Sequence, residues 1–230
     1  MKLITSLFVF SILAGCSTDD PQPATATYKN DFYKKTGNSV NATGNTYAQA
    51  GVVYQEMLDA YFLLPDIPGN LQQVIGRAEN IAFLNPGFIT LDSASPYQPL
   101  EASDFTPYLQ GGTIEGLLSQ GYSNQAREIL IAMASELEQM KAQNLPFQDV
   151  AAFFKESDGN IASDLSLAAS EKNAMLATTA IICNALDNDR KRKRRDRDWE
   201  WMTTHYAATA NAALESVPQA MIMSFVIDVY

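Results

Sequence analysis

The 230-residue chain contains a single histidine and two cysteines, Cys16 and Cys183. That scarcity excludes a zinc site built from paired cysteines and histidines, and it excludes a C-x-x-C redox centre. Any histidine-dependent chemistry has only His205 to use. Long apolar runs are scarce too. The stretch from Leu3 to Leu13 is interrupted by Thr5, Ser6 and Ser11 and is too short to cross a bilayer as a helix. No G-x-S-x-G, H-E-x-x-H, P-loop or glycine-rich nucleotide fingerprint occurs. The alternating strands of a membrane barrel are also missing. No cofactor or metal is expected from this inventory.

What the chain has first is an export signal. Lys2 gives a positive start, the apolar run follows, and small residues at Ala14 and Gly15 meet a cysteine. Leu13-Ala14-Gly15-Cys16 resembles the lipobox of bacterial lipoproteins. The resemblance implies cleavage before Cys16, diacylglycerol on its sulfur and several acyl chains, palmitate among them, on the mature protein. The chain would then be anchored to a membrane rather than spanning it. In lipoprotein families an uncharged residue after the cysteine, here Ser17, goes with export to the outer membrane. Asp19 and Asp20 resemble part of the surface-export signal of Bacteroidota lipoproteins, with Thr18 interrupting the match. The expected location is therefore the outer membrane, lipid-anchored, facing the periplasm or the cell surface. An ordinary secretory signal with a chance cysteine is the competing reading.

Three segments follow from composition: a signal peptide over 1–15, a lipidated tether over 16–45, and a folded domain over 46–230. The tether is rich in Thr, Asn, Lys and Gly and shows no apolar periodicity. As a flexible chain it would hold the domain about 30 Å from the lipid on average. Charge is distributed unevenly. The whole chain carries a formal −10. Arg190-Lys191-Arg192-Lys193-Arg194-Arg195-Asp196-Arg197 holds seven of its 16 lysines and arginines, so the rest is strongly acidic.

Helical periodicity dominates the domain. Ala50, Val53, Met57, Leu58, Tyr61 and Leu64 recur at steps of three and four until Pro65. Asn70 suits an N-cap for a helix carrying Leu71, Val74, Ile75, Ala78 and Ile81. Residues 86–112, with several prolines and Gly111-Gly112, read as irregular, and Phe88 to Leu91 as extended. A short helix is expected from Thr113. A longer one, capped by Ser123 or Asn124, should turn Ala126, Ile129, Leu130, Met133, Leu137 and Met140 inward. Pro146 suits a brief helix through Phe154, and Asp158-Gly159-Asn160 reads as a turn leading to a helix that starts at Ser163 or Asp164. That helix would bury Leu165, Ala168, Met175, Leu176, Thr179, Ile182 and Leu186. A further helix is predicted over about 198–215, and the tail from Ala220 to Tyr230 should be core. The expected fold is all-α, a single domain of about six to eight helices packed as hairpins or an irregular bundle.

The basic run is the sharpest feature of this domain. Arg190, Lys191, Arg192, Lys193, Arg194, Arg195 and Arg197 repel one another, which suits an anionic partner: lipid phosphate, glycan or an acidic protein. Trp199 and Trp201 follow at once and would suit a membrane interface. The alternative is a solvated loop neutralised by Asp187, Asp189, Asp196 and Asp198, with the tryptophans in the core. Nucleic acid is not expected, because nothing resembles a known binding module. His205 should pack against Trp201 one turn earlier and find a hydrogen-bond partner. Cys183 reads as a small buried hydrophobe. Glu136 and Glu138 point to different faces of one helix, which is poor geometry for paired-acid glycoside chemistry. The functional expectation is a non-enzymatic, lipid-anchored binding or assembly module that engages an outer-membrane protein, a glycan or another envelope component. The rival is an envelope hydrolase of glycan or peptide, with distant carboxylates brought together by the fold and His205 near Glu200.

Overall fold

Ten helices and no strand occupy the residues described by the computed structural model. These are 45–66, 68–192 and 199–230, without the side chains of 190–192, 199 and 200. The expected signal peptide, almost all of the tether and most of the basic run lie outside them. The all-α expectation holds, with more helices than the periodicity suggested.

Capping side chains set many of the helix starts. In α1 (Ala48–Phe62) the residues Ala50, Val53, Tyr54, Met57 and Leu58 are fully buried, as their spacing requires. Asn70 caps α2 (Leu71–Leu84), its side chain accepting from the Gln73 amide at 3.0 Å. Asn85 then both ends α2 and starts α3 (Pro86–Ala94): its Oδ1 accepts from the Gly87 amide at 2.8 Å and its Nδ2 donates to Glu56 at 2.9 Å. The expected extended segment at Phe88–Leu91 is therefore helical. Pro86, at the first helical position, gives up a donor that no helix would have used, and Asn85 supplies the cap. In α4 (Ala102–Leu109) the Asp104 carboxylate accepts from the Glu101 amide at 2.8 Å, so most of 86–112 is ordered helix.

The short α5 (Ile114–Leu117) starts at Thr113, as expected. Ser123 caps α6 (Asn124–Ala142), accepting from the Ala126 amide at 3.2 Å. The helix α7 (Phe147–Ser163) passes straight through Asp158-Gly159-Asn160, where a turn was expected. Phe154, Asp158 and Ile161 share one buried face, and Asp158 works as an interior acceptor rather than as a cap. The next helix, α8 (Ala169–Arg192), consequently starts later than predicted. Leu165 is 97% exposed and Ala168 also faces solvent, while Leu167 is the buried leucine of that link.

The core is built on α8, α9 (Trp199–Glu215), α10 (Val217–Val229) and α1. α10 is capped by Ser216, carries Pro218 in its first turn and is buried on every side from Pro218 to Asp228. A helix apolar all round belongs in the interior. The Ala- and Thr-rich α9 packs along it, with Ala207, Ala208, Thr209 and Ala210 wholly inaccessible. At the α1–α8 crossing, a side chain on Gly51 would collide with the Ala180 carbonyl and the Asn184 amide, so the two backbones meet there. The helices α2, α3 and α4 cover α10; α4 and α5 lie on α9; α7 lies on α8; and α6 touches α5, α7 and α9. Asn45, expected in the tether, belongs to this body: it is buried and donates to Asp158 at 3.0 Å and to the Leu176 carbonyl at 2.8 Å.

Candidate functional site

Two groupings of polar side chains stand out, one sealed and one open. The sealed one links α1, α9 and α10. His205 Nε2 lies 2.5 Å from Ser224 Oγ, and the Tyr54 hydroxyl donates to Asp228 Oδ2 at 3.1 Å. Ser224 and Asp228 are one turn apart on α10, which places both on the face that meets Tyr54. Burial above all, then the negative charges of Asp228 and Asp189, push the Tyr54 hydroxyl well above its ordinary range, so it remains a donor. Trp201 lies against His205 with ring centroids 4.9 Å apart, and its indole donates to the Ile227 carbonyl at 3.4 Å.

A serine held at hydrogen-bond distance from a histidine can pass it a proton, the first step of nucleophilic catalysis. Nucleophilic attack also needs a carbonyl about 3 Å from that oxygen. Ser224 has no accessible surface and His205 is 1% exposed. As it stands, the pair joins helices instead of facing a substrate. Cys183 is likewise buried, and burial raises its thiol to about 12, far from thiolate chemistry at neutral pH. No cluster of three metal-ligating side chains forms among the described residues.

Asp158 makes a second interior junction. Its carboxylate accepts from Thr179 at 2.5 Å and from Asn45 at 3.0 Å, tying α7 to α8 and to the start of the fold. Burial raises its pKa, and those two hydrogen bonds oppose the rise without cancelling it. Glu171 is the opposite case. Burial would raise its pKa, but the Ser123 and Ala168 amides donate to it at 2.6 and 2.9 Å and hold it below its usual value.

The open grouping is a groove of about 580 Å³ between α6 and α7. Ile129, Ala132 and Met133 from α6 and Phe153 and Ile161 from α7 form its apolar lining. Glu136, Glu156 and Asp164 supply carboxylates, and Gln125, Ser157 and Asn160 supply neutral polar groups. No lysine or arginine lines it. The cation nearest in sequence on α6, Arg127, donates to the carbonyls of Leu118 and Ser119 at 2.6 and 2.9 Å and to that of Glu115. Asp164 is held below its ordinary range by hydrogen bonds from the Ser166 hydroxyl and amide.

The groove was missed in the sequence for a definite reason. Along its own helix Glu136 has Glu138 as its nearest carboxylate, whereas its relevant neighbour Glu156 lies twenty positions on, across the gap. Ile129, expected to face inward, packs against the core and also forms part of the groove wall. Arg190, Lys191 and Arg192 end α8, Trp199 starts α9, and Lys193, Arg194, Arg195 and Arg197 lie outside the described residues. Trp201, the one candidate there with a described side chain, is half-buried against the core. No protein-family model, no curated protein and no solved structure matches this chain.

Proposed function

We propose that this chain is a lipid-anchored, non-enzymatic binding or assembly module of a bacterial outer membrane. It is tethered through Cys16 and engages an envelope component through the α6–α7 groove. The observation that carries the reading is the contrast between the two polar groupings. The serine–histidine pair is closed to solvent, whereas the groove offers an apolar surface and carboxylates together. A pocket with apolar walls and a few placed polar groups is the usual form of a binding site. The anchor rests on the lipobox at Leu13–Cys16. The cationic run from Arg190 to Arg197, on a body otherwise strongly acidic, supplies a second attachment to anionic lipid phosphate or glycan.

The anchor is tested by replacing Cys16→Ala and following palmitate labelling and membrane retention. Both should be lost. Normal labelling of the variant would remove the anchor from the account. The groove is tested by recovering the envelope components bound to the wild-type chain and to a Glu136→Gln/Glu156→Gln variant. Identical recovery from both would show that the contact lies elsewhere.

A further inference from the structure

We infer that the α6–α7 groove receives one face of a short, cationic amphipathic helix from a partner protein, a step that rests on the groove being the binding site. Three features of the groove select this ligand. Its two walls are of similar length: Gln125 to Glu136 on α6, and Phe153 on α7 to its C-cap Asp164, each cover about 16 Å, or three helical turns. A third helix of that length fits between them, with its apolar side chains spaced at i, i+3, i+4 and i+7.

The floor is apolar. Phe153 and Ile129 are half-buried with no further layer over them, and Met133 and Ile161 lie beneath. An apolar stripe on the incoming helix would cover this surface.

Charge complementarity fixes the rest of the ligand. The three ionisable groups in the lining are all carboxylates, and Glu136 and Glu156 have no hydrogen-bond or ion-pair partner among the described residues. Arg127 is turned to backbone carbonyls, and Lys172, which acts on Asp164, donates to the Ala162 carbonyl at 3.3 Å, so neither is paired with Glu136 or Glu156. Lysines or arginines flanking the apolar stripe would form charge-assisted hydrogen bonds with Glu136 and Glu156. An acidic or purely apolar helix would leave those carboxylates facing like charge or hydrocarbon, which disfavours it.

The test uses the full chain carrying Cys16→Ala and a fluorescent peptide of about twelve residues, leucines on one face and lysines on the others. A counterpart has every lysine replaced by glutamate. Anisotropy should report binding of the lysine peptide, weakened on going from about 50 to about 300 mM salt as the Debye length contracts. The glutamate peptide should not bind. Glu136→Gln/Glu156→Gln should weaken the lysine peptide at least tenfold, and Glu136→Lys/Glu156→Lys should reverse the preference toward the glutamate peptide. Both positions are exposed, so circular dichroism and Tm should be unchanged in these variants.

Equal binding of the two peptides, or affinity unchanged by the double substitutions, would overturn the inference. So would concentration-dependent self-association of the wild type that Glu136→Lys/Glu156→Lys abolishes, because a second copy would then be the occupant. If the peptides fail while envelope components are still lost from the glutamine variant, the groove remains the binding site and only the partner's chemistry is wrong.

Discussion

The interior between α1, α9 and α10 and the face between α6 and α7 handle polar groups in opposite ways. Inside, His205 and Ser224 meet at 2.5 Å, Tyr54 and Asp228 at 3.1 Å, and all four are 2% exposed or less. On the outer face, Glu136 and Glu156 stand exposed beside Phe153 and Ile129. The first arrangement holds helices in register, because a buried polar group is costly unless it is paired. The second leaves polar and apolar surface available, which a ligand can use. A serine beside a histidine is therefore a weaker pointer to function in this molecule than two glutamates beside a phenylalanine.

The comparison can be strained from the inside first. Gly51→Ala should have the largest effect, because the added carbon meets the Ala180 backbone, which cannot turn away as a side chain can. Overpacking of this kind costs about 1–3 kcal/mol or more, and urea unfolding should show it as a lowered midpoint. A wild-type midpoint would mean that α1 and α8 are farther apart than described. Tyr54→Phe comes next. It removes the donor to Asp228 without changing the packing shape, and leaving a buried acceptor short of a partner costs about 1–3 kcal/mol. A neutral result would mean that water reaches Asp228.

The junctions flanking the groove should respond to acid in opposite directions. Asp158 has a raised folded-state pKa, so the folded chain holds its proton more tightly than the unfolded chain does. Its contribution improves as pH falls toward the ordinary aspartate range and is lost as pH rises through the folded value. Glu171 has a lowered pKa, so its contribution is present above the ordinary glutamate range and is lost as pH falls through the folded value. Thermal unfolding between about pH 7 and pH 3, the range above and through the carboxylate values, should therefore show wild type gaining on Asp158→Asn and losing on Glu171→Gln. Parallel curves for the two comparisons would contradict the assigned environments.

The smallest effect on stability is expected from the basic run. Replacing Arg192, Lys193, Arg194 and Arg195 with serine should abolish salt-sensitive binding of the unlipidated chain to anionic vesicles while moving Tm little, since solvated charges add about 0–1 kcal/mol each. Vesicle binding equal to wild type would remove the run from the membrane contact. A variant that cannot fold would make the run a structural element.

How far the sequence reveals these regions follows from the range of the forces involved. The interior helices were legible because their apolar residues repeat locally: Val53, Met57 and Tyr61 on α1, and Leu130, Met133 and Leu137 on α6, are buried where the period puts them. Helix starts were legible where a side chain closes the first turn, at Asn70, Thr113 and Ser123. Errors arose where a locally polar residue serves a distant partner. Asp158 looks like part of a turn because its partners, Asn45 and Thr179, lie 113 and 21 residues away. Asn85-Pro86-Gly87 carries two local signals at once, an ending for α2 and a capped, proline-led start for α3, and a sequence reading that takes only the first loses the helix. The groove depends wholly on such distant pairing. Its walls come from α6 and α7, and no period within either helix records the gap between them.

Site-specific cross-linking in native envelopes tests the central claim most directly. A photoreactive amino acid placed at Asn160, exposed on the groove wall, is compared with the same residue at Thr90, exposed on α3. The account predicts light-dependent adducts at Asn160, lost when Glu136 and Glu156 are changed to lysine, and none at Thr90. Adducts confined to Thr90, or equal at both positions and indifferent to the glutamates, would contradict it.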